Sequence, residues 1–245
     1  MPILEGKGVT KYFGGLAAVS NVDFKVEQGE ALGLIGPNGA GKTTLFNLIS
    51  AALVPKPGTI RFKGQNITGL KPYRICRMGV ARTFQTVKVF ADMPVLNNVV
   101  LGSYFGMSTN MSSADAVRQA AEILEFVGLS AVSATPAKDL TLANQKRLEV
   151  ARALATKPEL LLLDELMAGL NPTEIAQAME LVNRIRDKGI TIIMIEHVMK
   201  AIMNVCERII VLHHGAKIAE GTPQEIVTSK KVIEVYLGEK AHAGS

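Results

Sequence analysis

At 245 residues, the chain can form one large α/β domain or two small ones, and 48% hydrophobic residues supply an ample core. No apolar run approaches the roughly 18 residues of a membrane span. Residues 1–5 lack the basic and apolar regions of a signal peptide, so a cytoplasmic protein is expected. The net charge of +5 includes no basic run longer than Lys230-Lys231 and is accompanied by no tryptophan, which favours a solvated surface over a nucleic-acid stripe; attraction to an anionic membrane surface is the second reading. Cys76 and Cys206 have neither metal spacing nor a disulfide framework.

Residues 3–35 read as β structure. Val22, Phe24 and Val26 alternate with polar neighbours, and Gln28-Gly29-Glu30 makes a turn. Phe13 could stack on a base or pack in the core, and spacing alone favours the core. Residues 31–35 form a short buried strand, and residues 43–50 begin a helix. Between them, Gly36-Pro37-Asn38-Gly39-Ala40-Gly41-Lys42-Thr43-Thr44 fits G-x-x-x-x-G-K-S/T at Gly36, Gly41, Lys42 and Thr43. A loop in this place presents a row of backbone N–H groups, and the helix N-terminus adds partial positive charge. Lys42 can reach the β- and γ-phosphates, the Thr43 hydroxyl can ligate Mg²⁺, and Pro37, Asn38, Gly39, Ala40 and Thr44 complete the cradle. The Lys-Thr pair and both flanks argue against an ordinary glycine-rich turn. A nucleoside triphosphate is the expected ligand.

The helix ends before Pro55-Lys56-Pro57-Gly58. Residues 59–63 read as a strand, 72–78 as a helix and 80–85 as extended, with Gln85 at the strand end. Its amide could contact Mg²⁺, position water or be only a polar end. Residues 87–140 lose the strand alternation and read as a helical insert. Val95, Val99, Val100 and Leu101 follow Pro94, and residues 107–113 form a polar loop. Residues 116–127 are helical, with Ala120, Ile123, Leu124 and Val127 on one face and Gly128 as the cap.

Asn144 is expected to cap a helix from Gln145, with Leu148, Ala151, Leu154 and Ala155 on one face and Pro158 as its stop. Four leucines, 160–163, then lead into Asp164-Glu165. This is a buried parallel strand whose tip faces a ligand crevice. Asp164 would hold Mg²⁺ through its water, and Glu165 would orient or deprotonate an attacking water. Ile175, Met179, Val182 and Ile185 mark a helix ending at Gly189, with Met179 read as core. Residues 191–195 are a strand with Glu196-His197 at its tip, where His197 can donate to a γ-phosphate. Residues 208–212 form another strand, and His213-His214-Gly215 is read as a turn and not as a metal pair. Residues 230–238 form a last helix, and 239–245 fray.

This order of motifs resembles the ATP-binding subunit of an ABC transporter over essentially the whole chain. Ala81-Arg82-Thr83-Phe84-Gln85, Leu170-Asn171-Pro172 and Val235-Tyr236-Leu237-Gly238-Glu239 resemble the subfamily serving branched-chain amino acid importers. The implied fold is α/β: a P-loop NTPase core with a parallel sheet, an N-terminal antiparallel β region and the helical insert 87–140, all in one domain, 1–245. The resemblance implies that Phe13 stacks on adenine, that Gln85 senses Mg²⁺ and the membrane domain, and that Asp164 serves magnesium. It makes Glu165 the catalytic base and His197 the switch histidine. Gly169-Leu170-Asn171 matches the loop that crosses to a partner, with Asn171 for the commoner Asp.

ATP and Mg²⁺ are the implied cofactors. The implied partners are membrane permease subunits, a second ATP-binding subunit in a homo- or heterodimer, and an external solute-binding protein. The implied location is the cytoplasmic face of the membrane, with no nucleic acid expected. In this family, each site joins one chain's phosphate loop to the other chain's signature segment. The family's Leu-Ser-Gly-Gly-Gln is here Leu140-Thr141-Leu142-Ala143-Asn144. Thr141 keeps a hydroxyl for the nucleotide, but Leu142 and Ala143 replace two glycines, which leaves open a weakened site or a tolerant variant. A soluble ABC-type ATPase acting on nucleic acid or ribosomes is the alternative, marked by salt-sensitive nucleic-acid binding. A kinase built on the same loop is a further one, marked by a phosphorylated product.

Overall fold

Alternating burial in the N-terminal strands, and uniformly buried runs later in the chain, set out two kinds of sheet. The computed structural model describes residues 2–106 and 111–242, with backbone alone for 237–242. Most of the polar loop expected at 107–113, and the end of the tail expected at 239–245, lie outside the described residues.

In chain order, the first elements are β1 (Leu4–Phe13), β2 (Leu16–Val26), β3 (Ala31–Ile35), α1 (Lys42–Ile49), β4 (Thr59–Phe62), β5 (Gln65–Asn66), α2 (Pro72–Arg77) and β6 (Val80–Arg82). Then come α3 (Val95–Phe105), α4 (Ser113–Val127), α5 (Leu142–Ala155), β7 (Leu160–Asp164), α6 (Pro172–Asp187) and β8 (Thr191–Ile195). The chain closes with α7 (Met199–Val205), β9 (Arg208–His213), β10 (Ala216–Gly221), α8 (Pro223–Thr228) and α9 (Lys230–His242). The fold is α/β.

Two units divide the chain. The first comprises 1–71 and 191–245, the second 72–190. In the first, β2-β1-β4-β5 form an antiparallel sheet among the described residues, and β3 lies parallel between β8 and β9. Val22, Phe24 and Val26 are buried, as the alternation requires. β9 and β10 make a hairpin whose turn residues, His214 (φ 46°) and Gly215 (φ 77°), are both left-handed. His214 is therefore a turn residue as expected, whereas His213 is the last residue of β9. The loop after β3 leaves the carboxyl end of a parallel strand, where α/β folds place ligands.

In the second unit, β6 runs parallel to β7, and α3, α4 and α5 pack together. The expected insert 87–140 falls wholly inside this unit. α3 approaches α5 so closely that a Cβ at Gly102 would stand 2.6 Å from the Arg152 carbonyl oxygen. Several boundaries differ from the expectation. α5 starts at Leu142, because the Thr141 hydroxyl accepts from the Asn144 N–H at 3.4 Å. Asn144 supplies the capped amide and is not the cap. β6 stops at Arg82, so Gln85 lies in the following loop. The buried face of α6 is Ala178, Leu181, Val182 and Ile185, and Met179 is only half-buried at its margin. α9 continues to His242, beyond the expected end at 238.

One side chain gathers three segments of the first unit. The Arg208 guanidinium, 25% exposed, forks onto Glu30 at 2.7 and 2.9 Å, donates to the Lys25 carbonyl at 2.7 Å and pairs with Glu220. Arg208→Leu leaves the buried Glu30 carboxylate without this fork. It should cost about 2–3 kcal/mol in denaturant unfolding, below the figure for a fully buried pair because Arg208 is partly solvated.

Candidate functional site

The phosphate loop is shaped by two close approaches. Gly36 has φ 148°, and a Cβ there would stand 2.1 Å from the Leu212 carbonyl oxygen. Gly41 has φ 99°, and its Cβ would stand 2.2 Å from the Ala18 carbonyl oxygen. No side chain fits at either position. From behind, the Gly215 N–H donates to the Ala40 carbonyl at 3.0 Å, and the Ser20 N–H donates to the Gly215 carbonyl at 2.8 Å. Gly41 is the N-cap of α1 and brings no side-chain cap to the first-turn amides. Lys42, 7% exposed, donates through Nζ to the Gly36 carbonyl at 2.5 Å and the Pro37 carbonyl at 2.8 Å. Thr43 is exposed and Thr44 half-buried. Backbone donors, the positive end of a helix and an ammonium in a space closed to side chains fit a polyphosphate anion.

Elsewhere in this unit, Phe13 ends β1 at the hairpin tip. The ring is 49% exposed, with the Lys11 ammonium 5.7 Å from its centroid. Core packing, the preference from spacing alone, is overturned: a two-residue turn follows Phe13 and holds it at the sheet margin. His197 is exposed just beyond β8, next to the buried Glu196.

The second unit carries the carboxylates. Asp164 ends β7 at 2% exposure, and its Oδ2 accepts from Arg82 Nη2 at 2.8 Å. The Asp164 N–H donates to the Thr83 hydroxyl at 3.1 Å. Glu165 is left-handed at φ 52°, a conformation that costs a non-glycine residue about 1–2 kcal/mol. Gln85 Nε2 donates to Glu165 Oε2 at 3.1 Å, and Lys146 Nζ donates to the Glu165 carbonyl at 2.7 Å. The structure thus brings Gln85 to Glu165 although Gln85 stands outside the strand.

The segment after β6 is held in turn by α5. Glu149 Oε1 accepts from the Lys88 N–H at 2.7 Å, and Arg152 Nη1 donates to the Lys88 carbonyl. Burial pushes the Glu149 carboxyl above its ordinary value, against the pull of the Lys88 N–H, Arg152 and Lys146. Sequence reading missed Arg82, Lys146, Glu149 and Arg152. The available signal was three charges at i, i+3 and i+6 on a helix whose intervening positions are mostly apolar.

At the start of α5, Leu142 and Ala143 are helical, and neither is left-handed. Glycine's conformational freedom is therefore not required there. Ala143 is buried in its own unit, whereas Leu142 is 44% exposed.

The profile of the ABC transporter family matches residues 19–168. The chain belongs to this family. A second profile, described as the branched-chain amino acid ATP-binding cassette transporter, matches residues 216–242. The high-affinity branched-chain amino acid transport ATP-binding proteins BraF of Pseudomonas aeruginosa and LivG of Escherichia coli are each 41% identical to the chain, covering 97% of it and 98% of their own length. An ATP-binding cassette of an ABC transporter in its ADP conformation is 32% identical, with a TM-score of 0.87 over 97% of this chain and 99% of that one. A dimeric cassette in a post-hydrolysis state with ADP and phosphate is 26% identical, with a TM-score of 0.82 over 90% and 98%. The chain is accordingly an ATP-binding ATPase of the ABC family, and the reading as a nucleic-acid ATPase is not favoured.

Gly41→Ala should weaken ATP binding about 10–100-fold, the equivalent of a 1–3 kcal/mol steric penalty. Gly15→Ala, where a Cβ meets nothing within 4 Å, should leave it unchanged. Titration with a fluorescent ATP analogue measures both.

Proposed function

We propose that the chain is the ATP-hydrolysing motor of an importer for branched-chain or related amino acids, acting as a dimer on a separate membrane permease. The observation that carries the hydrolytic reading is Glu165, whose carboxylate is met by Gln85 and whose backbone is held by Lys146. The names of the relatives and the match over residues 216–242 support the amino acid class. No helix among the described residues is long and apolar enough to cross a membrane. The chain works at the cytoplasmic face, with its permease and an external solute-binding protein.

Phe13 takes the adenine. Gly36, Pro37, Asn38, Gly39, Ala40, Gly41, Lys42, Thr43 and Thr44 take the phosphates, and His197 meets the γ-phosphate. The Thr43 hydroxyl, the Gln85 amide and the Asp164 carboxylate are hard oxygen donors suited to Mg²⁺, which supplies charge neutralisation on the phosphates when bound. Glu165 takes the proton of the attacking water, and Gln85 holds the carboxylate in place. Thr141 and the first amides of α5 serve the nucleotide of the partner chain.

Glu165→Gln should retain ATP binding and lose about 10²–10⁴-fold in hydrolysis. Near-normal phosphate release by that variant would remove Glu165 as the base. The same variant, used with ATP and Mg²⁺ as bait on solubilised membranes, should retain multi-span proteins; recovery of only soluble partners or RNA overturns the transporter reading. In the signature segment, Leu142→Gly should raise turnover at the partner's site. Ala143→Gly should cost only helix stability, because its methyl faces inward.

A further inference from the structure

Lys146 lies on α5, just past the Thr141 cap, with 6% of its surface exposed. Burying an ammonium is costly unless its hydrogen bonds are well made, and an apolar side chain of similar volume would fill the space without that cost. Its neighbours on α5, Leu148, Val150 and Ala151, are fully buried apolar residues. A charge among them implies a use for the charge.

One of its hydrogen bonds shows a use. Nζ donates to the Glu165 carbonyl at 2.7 Å, and the Ala168 N–H donates to the same oxygen at 3.3 Å. Glu165 is left-handed, a state that glutamate rarely enters and that surrounding contacts must hold. The ammonium pins the peptide that follows Glu165, and with it the turn that brings the carboxylate to Gln85.

We propose that Lys146 is a positioning residue for hydrolysis: it holds the Glu165 backbone in the conformation that aims the carboxylate, and it makes that aim depend on α5. The inference rests on the reading of Glu165 as the base. Because Thr141 begins the same helix, a shift of α5 when the partner's nucleotide seats against it is passed through Lys146 to Glu165.

The test compares Lys146→Met, Lys146→Arg, Glu165→Gln and the Met–Gln double variant, each in the assembled transporter. Lys146→Met should lower kcat about 10–100-fold, the scale of a small misplacement of a reacting group, with ATP affinity unchanged. Lys146→Arg, which still reaches the carbonyl, should recover most of the rate. In the Glu165→Gln background, Lys146→Met should have no further effect. Parental turnover in Lys146→Met overturns the proposal, as does an additive loss in the double variant. A parallel loss of ATP affinity and kcat in both Met and Arg variants shows a merely structural lysine and also overturns it. If the Met variant does not fold, Lys146→Gln is read by the same criteria. Failure of the base reading is separately visible, because Glu165→Gln alone would then turn over normally.

Discussion

The phosphate loop can exist only where two backbones come too close for any side chain. At Gly36 and Gly41, a Cβ would sit 2.1 and 2.2 Å from the carbonyl oxygens of Leu212 and Ala18. Those carbonyls belong to β9 and β2, so strands distant in sequence set the curvature of the loop. The hairpin turn at Gly215 bonds to Ala40 and to Ser20, which ties the loop to the same two strands. The curvature leaves the first amides of α1 with no side-chain cap and holds Lys42 against the loop carbonyls. The electropositive character of the loop is therefore a property of packing as much as of the motif.

The second unit uses a different device, in which one helix holds backbone with charged side chains, two of them buried and Arg152 half-buried. On α5, Lys146 holds a carbonyl, Glu149 an N–H and Arg152 another carbonyl. Glu149 and Arg152 grip the two sides of Lys88, much as a neighbouring strand would. These bonds hold the loop from β6 after its ladder ends. At one end of that loop, the side chains of the Arg82–Asp164 pair are 9% and 1% exposed. At the other, Asn98, fully buried, bonds to Phe90, Met93 and Pro94. Gln85 sits between these anchors.

Much of this was legible in the sequence. Periodicity located β7, β8 and α4 because their apolar patterns are uniform or strongly amphipathic, and the glycine-lysine spacing located the phosphate loop outright. Spacing alone misjudged Phe13 as core, because it cannot tell the last residue of a strand from an interior one when a two-residue turn follows. The start of α5 was misplaced because Thr141 and Asn144 are both good caps, and only the geometry of the N–H groups chooses between them. The backbone-holding charges on α5 were hidden for a deeper reason. Their partners are backbone atoms at Lys88 and Glu165, which carry no mark in the sequence.

Such charges are a poor way to make a helix bundle stable. A buried ion or ion pair commonly breaks even against an apolar replacement of the same volume, because desolvation consumes the attraction. α3, α4 and α5 already bury Val95, Val99, Ala116, Ala120, Leu124, Leu148 and Val150, so cohesion does not require Lys146, Glu149 or Arg152. What charge adds over packing is direction: an ammonium or carboxylate rewards one orientation of a peptide group and penalises the rest. The residues held in this way are Lys88, three positions after Gln85, and Glu165, a residue in a conformation it would not keep alone. Stability that apolar packing would supply without desolvation cost is given up where a particular backbone orientation is needed, and that place is the proposed catalytic carboxylate.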